Sequence, residues 1–249
     1  MKMEEVIALV LAAGKGTRMK SKLPKVLHKA GGVPMVGQVL RAVKDAGTKR
    51  EIVVVGFGAG AVTAYVGETA ETVVQKEQLG TGHAVLQAES LLQGEKGILL
   101  VTCGDTPLVR TETFRALLDC HKKTQASATV LTACMPDPTG YGRVIRSADG
   151  KVSQIVEQKD GTSQELAVNE VNAGIYCFDL PELWELLHRI GNNNAQGEYY
   201  LTDIIGMLVA DGKTVSAVAA EDYRETLGVN SRLQLAQAEK ILRERKLEE

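Results

Sequence analysis

Short runs of apolar residues alternate with amphipathic segments in the first half of this sequence, and this alternation limits the folds open to it. The runs VIALVL (6–11), EIVVV (51–55) and GILLV (97–101) are almost entirely apolar. A strand that is apolar at every position must be covered on both faces, as in a parallel sheet between helical layers. Between the runs, apolar residues recur at helical spacing, as they do from Pro34 to Gly47. The pattern predicts strand–helix–strand units with right-handed crossovers.

The second half is less regular and predicts a smaller antiparallel addition to the sheet. Extended segments are expected at 128–133, 143–145, 152–157 and 171–178, with short turns such as SADGK between them. Strands joined by a short turn run antiparallel. Further helices are expected at 59–66, 82–91, 114–121, 183–190 and from Ser231 onward, and further strands at 72–75 and 214–220. The fold class is therefore α/β, with a mostly parallel central sheet flanked by helices and an antiparallel excursion.

Charge and composition argue against several classes of protein. The 249 residues carry a net charge of −2, so nothing global indicates a nucleic acid or an anionic membrane as partner. No apolar run approaches the length of a membrane span. The four cysteines match no zinc or redox spacing and no signal peptide precedes them. We therefore expect reduced thiols in a cytoplasmic protein.

The first apolar run ends in a loop rich in glycine and cations, AAGKGTRMKSKLPK (12–25). Ligands of open α/β sheets bind beyond the carboxyl ends of the strands. Gly14 and Gly16 let a ligand approach the main chain closely, and exposed amides there can hold phosphate. Six cations and no acid lie between residues 15 and 29, namely Lys15, Arg18, Lys20, Lys22, Lys25 and Lys29. This local density of positive charge suits a polyphosphate.

Two common phosphate-binding motifs do not fit this loop. A Walker A loop requires GxxxxGK[ST], which is absent, and a dinucleotide fingerprint requires glycine or alanine where this chain has Met19. A bare GxG is more often a tight turn beside a solvated basic loop. The combination of G-x-G-T-R with a following P-K after a buried strand favours the functional interpretation instead.

The loop and seven further motifs resemble the sugar-nucleotide pyrophosphorylases. The stretch LAAGKGTRMKSKLPKVLH looks like the signature of that family. The motifs QLGTGHA (78–84), CGDTPL (103–108), DPTGYGRV (137–144), IVEQKD (155–160), EVNAGIY (170–176), NNNAQGEYYLTDI (192–204) and GVNSRLQL (228–235) follow in family order. Together they are similar to the uridylyltransferase domain of bacterial bifunctional uridylyltransferase/acetyltransferases, and segment 192–204 is the most discriminating. The resemblance implies a Rossmann-like nucleotide-diphospho-sugar transferase fold.

The resemblance also implies a reaction and the residues at its centre. N-acetylglucosamine 1-phosphate would attack the α-phosphorus of UTP, giving pyrophosphate and UDP-N-acetylglucosamine, a precursor of the bacterial cell wall. Arg18 and Lys25 would stabilise phosphate charge. Asp105 and Asn230 would bind Mg²⁺, which often has few protein ligands besides water and substrate phosphates. From position alone, Asp105 has the alternative of a turn or cap residue, and Asn230 would be assigned as a helix cap; only the resemblance makes it a metal ligand.

The remaining implied contacts divide between the nucleotide and the sugar. Those assigned to the nucleotide are Gln75, Gly80 and Thr81 as uracil readers, the backbone of Leu11, Ala12, Ala13 and Gly14, and the turn residues Cys103 and Gly104. Those assigned to the sugar are Gly142, Glu157 and Asn172, with Glu198 and Tyr200 in a wall that also includes Tyr199 and Thr202. The family often has tyrosine where this chain has Cys103, a change expected to loosen a nucleotide contact without removing the metal carboxylate.

We expect a single nucleotidyltransferase domain over residues 1–249, with no acetyltransferase domain, because no hexapeptide repeat occurs. Its nucleotide-binding half spans roughly 1–125, its sugar-binding half roughly 126–227 and its C-terminal helix 228–249. The oligomeric state stays open, and a monomer is compatible with the lack of a β-helix. Three alternatives remain, namely a pyrophosphorylase of the same fold for another sugar phosphate, a catalytically silent UDP-sugar-binding module and, disfavoured by the failed fingerprint, a dinucleotide-dependent oxidoreductase.

Overall fold

A computed structural model describes residues 5–248 of the chain. Its strands are β1 Val6–Ala12, β2 Lys29–Ala30, β3 Val33–Pro34, β4 Arg50–Val55, β5 Glu71–Val74, β6 Ile98–Cys103, β7 Ala128–Cys134, β8 Arg143–Arg146, β9 Val152–Val156, β10 Glu170–Asp179 and β11 Val215–Ala219. Its α-helices are α1 Met35–Asp45, α2 Ala59–Val66, α3 Thr81–Leu86, α4 Glu89–Leu92, α5 Thr111–Thr124, α6 Ser163–Leu166, α7 Leu180–Leu187, α8 Asp203–Ala210 and α9 Arg232–Glu248. None of the helices in this part of the chain is long and apolar enough to cross a bilayer.

The apolar runs form the parallel centre of the main sheet, as predicted. The strand order is β11-β7-β10-β6-β1-β4-β5, and β1 pairs in parallel with β4 on one side and β6 on the other. Leu9 of β1 lies opposite both Ile52 and Val101. The loops after β1, β4 and β6 therefore leave the same edge of the sheet.

The antiparallel excursion is also confirmed, and it is built around β10. This long strand runs antiparallel between β6 and β7, and near its start it pairs with the β8–β9 hairpin. Its register with β7 shifts between Asn172 and Tyr176. Because β10 is antiparallel, its amino end lies at the same edge as the carboxyl ends of β1 and β6.

Both faces of the sheet are buried, which explains the uninterrupted apolar runs. Ile7 and Leu9 of β1 pack into one apolar cluster together with Leu183 of α7, while Ala8 and Val10 pack into another on the opposite face. Successive side chains of a strand point to opposite faces, so every position of a doubly covered strand must be apolar. The fold is that of a sheet between two helical layers.

Several local elements differ from the sequence predictions. The helix expected at 82–91 is two short helices, α3 and α4, because the backbone amide of Ala88 bonds to the carbonyl of Val85 in a tighter turn. Helix α8 and the β2–β3 hairpin were not predicted. At the start of α9, Ser231 Oγ accepts from the backbone N–H of Gln234 at 3.2 Å, as its capping-box spacing predicts.

Candidate active site

The glycine loop after β1 leaves open backbone at the edge of the sheet. Gly14 is exposed, and no atom lies within 4 Å of the position that a Cβ would take there. Gly16 has φ 58°, and a Cβ at that residue would lie 2.7 Å from Lys25 Cβ, so only glycine fits. Within residues 5–248, the amides of Gly14, Lys15 and Gly16 donate no hydrogen bond. Such amides can receive an anion.

Backbone contacts from two neighbouring strands hold the end of β1 in place. The amide of Gly104, after β6, donates to Leu11 O at 2.9 Å, and the amide of Phe57, after β4, donates to Ala13 O at 3.1 Å. Ala12 and Ala13 are buried and Leu11 is half-buried. The predicted backbone contacts thus lie where three strands end together.

Lys25, Asp105 and Asn230 meet at one point beside this loop. The ammonium of Lys25 donates to Asp105 Oδ2 and, at 2.8 Å, to Asn230 Oδ1. The side chains of Lys25 and Asp105 are only 13% and 17% exposed. The backbone next to Asn230 is tied to Asp105, because the amide of Val229 donates to Asp105 O at 2.8 Å. Two oxygen ligands thus face a single cation.

This pair of oxygens fits the requirements of Mg²⁺. Carboxylate and amide oxygens are hard ligands, and Mg²⁺ completes its shell with water and substrate phosphates. No group of three or more His, Cys, Asp or Glu residues in the described chain has the geometry of a metal site. Ser231 caps α9, so the side chain of Asn230 is not needed as the helix cap and instead accepts from Lys25.

Arg18 lies in the same loop, but its side chain points to solvent instead of joining the contacts around Lys25. It belongs to a short 3-10 helix, Thr17–Met19, and its side chain is exposed while that of Met19 is buried. Arg232 of α9 donates to the carbonyls of Met19 and Lys20 at 3.2 and 3.3 Å, which ties the C-terminal helix to the loop. Arg18 is therefore available to an anion, whereas Lys25 is engaged.

The predicted uracil readers form a connected group at the end of β5. Gln75 is 3% exposed and directly follows that strand. Its Nε2 lies 3.2 Å from Gly80 O and 3.1 Å from Nδ1 of His83. Gly80 has φ 114°, and a Cβ there would lie 2.6 Å from Tyr199 O. Thr81 Oγ1 accepts from the amide of Leu201 at 3.1 Å.

Cys103 ends β6 next to the predicted metal carboxylate. Burial, reinforced by the negative charge of Asp105, raises the pKa of its thiol to about 12. The thiol is therefore neutral at physiological pH, and its Sγ lies 3.9 Å from Gly174 O on β10. All four cysteines are free.

The predicted sugar residues come together on the other half of the sheet. The amide of Asn172 donates to Gly142 O at 2.9 Å, and Thr202 Oγ1 donates to Glu157 Oε1 at 3.0 Å. A Cβ on Gly142 would lie 3.5 Å from either carboxylate oxygen of Glu157. Burial raises the pKa of Glu157, and nearby carboxylates raise it further; these belong to Asp160, Asp203 and Glu198.

The segment 192–204 lines a cavity of about 360 Å³ beside Glu157. Tyr200 is buried, and its hydroxyl donates to Asp160 Oδ2 at 3.2 Å. Glu198 is half-buried, with its backbone amide bonded to Asn194 Oδ1 at 3.1 Å. This segment is thus held by its own side chains and by Asp160.

Two contributors were missed at the sequence level. His83 contacts Gln75, a predicted uracil reader, and Asp160 accepts from the Tyr200 hydroxyl and from the Ala195 amide, both within the segment 192–204. Both residues lie inside motifs that had been singled out, QLGTGHA and IVEQKD. The motifs therefore pointed to the right segments of the chain, but they did not show which residues His83 and Asp160 contact.

The nucleotidyl transferase family profile matches residues 7–238. The chain is 55% identical over 238 residues to the bifunctional protein GlmU of Geobacillus sp. (strain WCH70), covering 96% of this chain and 52% of that protein. It is 52% identical over 238 residues to the bifunctional protein GlmU of Oceanobacillus iheyensis, covering 96% of this chain and 52% of that protein. It is 52% identical over 243 residues to the bifunctional protein GlmU of Halalkalibacterium halodurans, covering 98% of this chain and 53% of that protein. The chain spans about half the length of these curated relatives.

Proposed function

This chain belongs to the nucleotidyl transferase family, and we propose that it is the uridylyltransferase that converts UTP and N-acetylglucosamine 1-phosphate into UDP-N-acetylglucosamine and pyrophosphate. The observation that carries the proposal is the meeting of Lys25, Asp105 and Asn230 beside the open amides of the glycine loop. A triphosphate needs cations, amide donors and oxygen ligands for its metal at one place, and this edge of the sheet offers all three.

The reaction needs no nucleophilic side chain, because the phosphate oxygen of the sugar substrate is itself the attacking group. The protein must hold two anions in line and neutralise the charge between them. The amides of the glycine loop receive the triphosphate, and Arg18 and Lys25 neutralise its oxygens. Asp105 and Asn230 would hold Mg²⁺, which would supply further charge stabilisation at the phosphates.

The substrates are oriented by the two groups of residues that flank this centre. Gln75 and the backbone of Gly80 face the uracil, while Leu11 to Gly14 provide the floor of the nucleotide site. The carboxylate of Glu157 accepts from sugar hydroxyls. The Nδ2 of Asn172 donates one hydrogen to the hydroxyl of Tyr176 at 2.6 Å and offers its second hydrogen to the sugar. Glu198 and Tyr200 shape the wall of the sugar pocket. We also propose a cytoplasmic setting, to which the four free thiols are suited.

The test is pyrophosphate release from UTP and N-acetylglucosamine 1-phosphate, first with Mg²⁺ and then with excess EDTA. Glucosamine 1-phosphate, glucose 1-phosphate and the other nucleoside triphosphates serve as competing substrates. Metal-dependent release that prefers UTP and the acetylated sugar is expected. Preference for another sugar phosphate would move the assignment within the fold, and UTP binding without release under any pairing would indicate a silent binding module.

A further inference from the structure

The base contact proposed for Gln75 depends on which end of its side-chain amide faces the nucleotide. We propose that His83, together with the carbonyl of Gly80, fixes this orientation and thereby selects uracil over cytosine. The inference rests on the proposed function, because it concerns the base of the nucleotide substrate. His83 acts through Gln75 and is a positioning residue.

The carbonyl of Gly80 determines which end of the amide it meets. A carbonyl oxygen only accepts, so the group 3.2 Å from Gly80 O must be the NH₂ of Gln75. The second hydrogen of that NH₂ points to Nδ1 of His83, at 3.1 Å. Because Gln75 is 3% exposed, water cannot replace the acceptor, and leaving this hydrogen without one would be unfavourable.

The proton position on His83 follows from this contact. A neutral imidazole has one acceptor nitrogen, and two side-chain amides compete for it, since Gln87 Nε2 lies 3.2 Å from His83 Nε2. Gln87 is half-buried and already donates to His83 O at 2.9 Å, so it loses little without the ring contact. The NH₂ of Gln75 is buried and has no water to replace the ring nitrogen as acceptor. The acceptor is therefore assigned to Nδ1 of His83 and the proton to Nε2.

With both hydrogens of its NH₂ engaged, Gln75 can present only its carbonyl oxygen. No donor within residues 5–248 bonds to that oxygen. The ring N3 of uracil carries a hydrogen and can donate to it, whereas N3 of cytosine is an acceptor and is repelled. A glutamine free to rotate by 180° would serve either base, so the discrimination comes from the two contacts that hold it.

Two variants separate this role from simple packing, in which the ring of His83 only fills space near Tyr199, with centroids 6.4 Å apart. His83→Asn keeps an acceptor near the Nδ1 position. His83→Phe keeps the ring and removes the acceptor. The control is His188→Phe, at a histidine whose side chain is 58% exposed and pairs with Glu89.

The measurements are kcat/KM for UTP and CTP, and Kd for UDP and CDP by calorimetry, on each variant of the 249-residue chain. We expect His83→Phe to lower the uridine-to-cytidine ratio about tenfold in both assays, the effect of one hydrogen bond, and His83→Asn and His188→Phe to keep it. Three results would overturn the inference. They are an equal loss of activity and binding for uridine and cytidine nucleotides in His83→Phe, an unchanged uridine-to-cytidine ratio in that variant, and no preference for uridine in the wild type. Selective UDP binding without turnover would contradict the proposed function and leave this inference standing, while binding of neither nucleotide would overturn both.

Discussion

Replacing Lys25 with methionine removes the cation shared by Asp105 and Asn230, and the contacts allow its effect on stability to be worked out. The change keeps a long, unbranched side chain but deletes both hydrogen bonds of the ammonium. The carboxylate of Asp105 would then remain 17% exposed in the wild-type geometry, with no cation beside it. An unpaired charge at this depth is costly because water replaces the ammonium only in part.

Breaking a buried ion pair from one side costs about 3–5 kcal/mol, and the partial exposure of both side chains favours the lower end. We therefore expect Lys25→Met to lower the free energy of unfolding by about 3 kcal/mol in the absence of metal. For a chain of this length that corresponds to a fall of about 6–12 °C in the melting temperature.

Magnesium adds a second part to the same prediction. In the wild type, a divalent cation that binds without nucleotide must displace the ammonium from the two oxygens. In Lys25→Met that competitor is gone, so saturating Mg²⁺ should raise the melting temperature more in the variant than in the wild type.

Scanning calorimetry with and without Mg²⁺ measures both effects, and Lys22→Met is the control, because Lys22 is exposed in the same loop. A loss below about 0.5 kcal/mol in Lys25→Met, the range of an ordinary surface change, would refute the stabilising pair. Equal increments from Mg²⁺ in both proteins would refute the competition. No response to Mg²⁺ in either would count against Asp105 and Asn230 as ligands.

Asp105→Asn should keep the fold but reduce turnover about 10²–10³-fold in a magnesium titration of pyrophosphate release, and near-normal activity would rule out the metal role. Since Glu157 has a raised pKa, it loses its acceptor charge sooner than an ordinary carboxylate as the pH falls. The KM for the sugar phosphate should therefore rise at low pH. Glu157→Gln should abolish this pH dependence, and an identical dependence of KM on pH in the variant would contradict the role of Glu157. Gly80→Ala should cost about 2 kcal/mol or more in urea unfolding, because its Cβ would meet Tyr199 O. Gly60→Ala, in open helical space, should be neutral or stabilising, and equal effects of the two changes would refute the strain.

Much of the sheet could be predicted because its central strands are buried on both faces. The runs that became β1, β4 and β6 are apolar at nearly every position, and a short run of this kind suits a strand that is covered on both faces. Helix α8 was missed because its sequence, DIIGMLVA, is apolar at nearly every position and therefore shows no helical spacing of apolar and polar residues. A local sequence pattern predicts an element well only where one type of secondary structure fits that pattern.

The candidate site was predictable as a set of residues but not as a set of contacts. Lys25 was expected to bind phosphate. In the structure it bonds to Asp105, which is 80 positions away in the chain, and to Asn230, which is 205 positions away. Such pairings depend on how distant strands end at one edge, which no local pattern encodes. The contact between Gln75 and His83 spans only eight positions, yet it depends on a turn whose path the sequence does not specify.

The continuous main sheet has a mechanical consequence for how the protein can respond to its substrates. Asn172 precedes Tyr176 on β10, Tyr176 pairs with Val101 on β6, and Val101 pairs with Leu9 on β1, the strand that leads into the glycine loop. A ladder of backbone hydrogen bonds thus connects the proposed sugar contacts with the glycine loop, and strand spacing of about 4.8 Å sets the distance between them. Rotation of one half against the other would have to break that ladder. We therefore expect the framework to be stiff, and adjustment to bound substrates to be confined to loops such as 12–25 and 192–204.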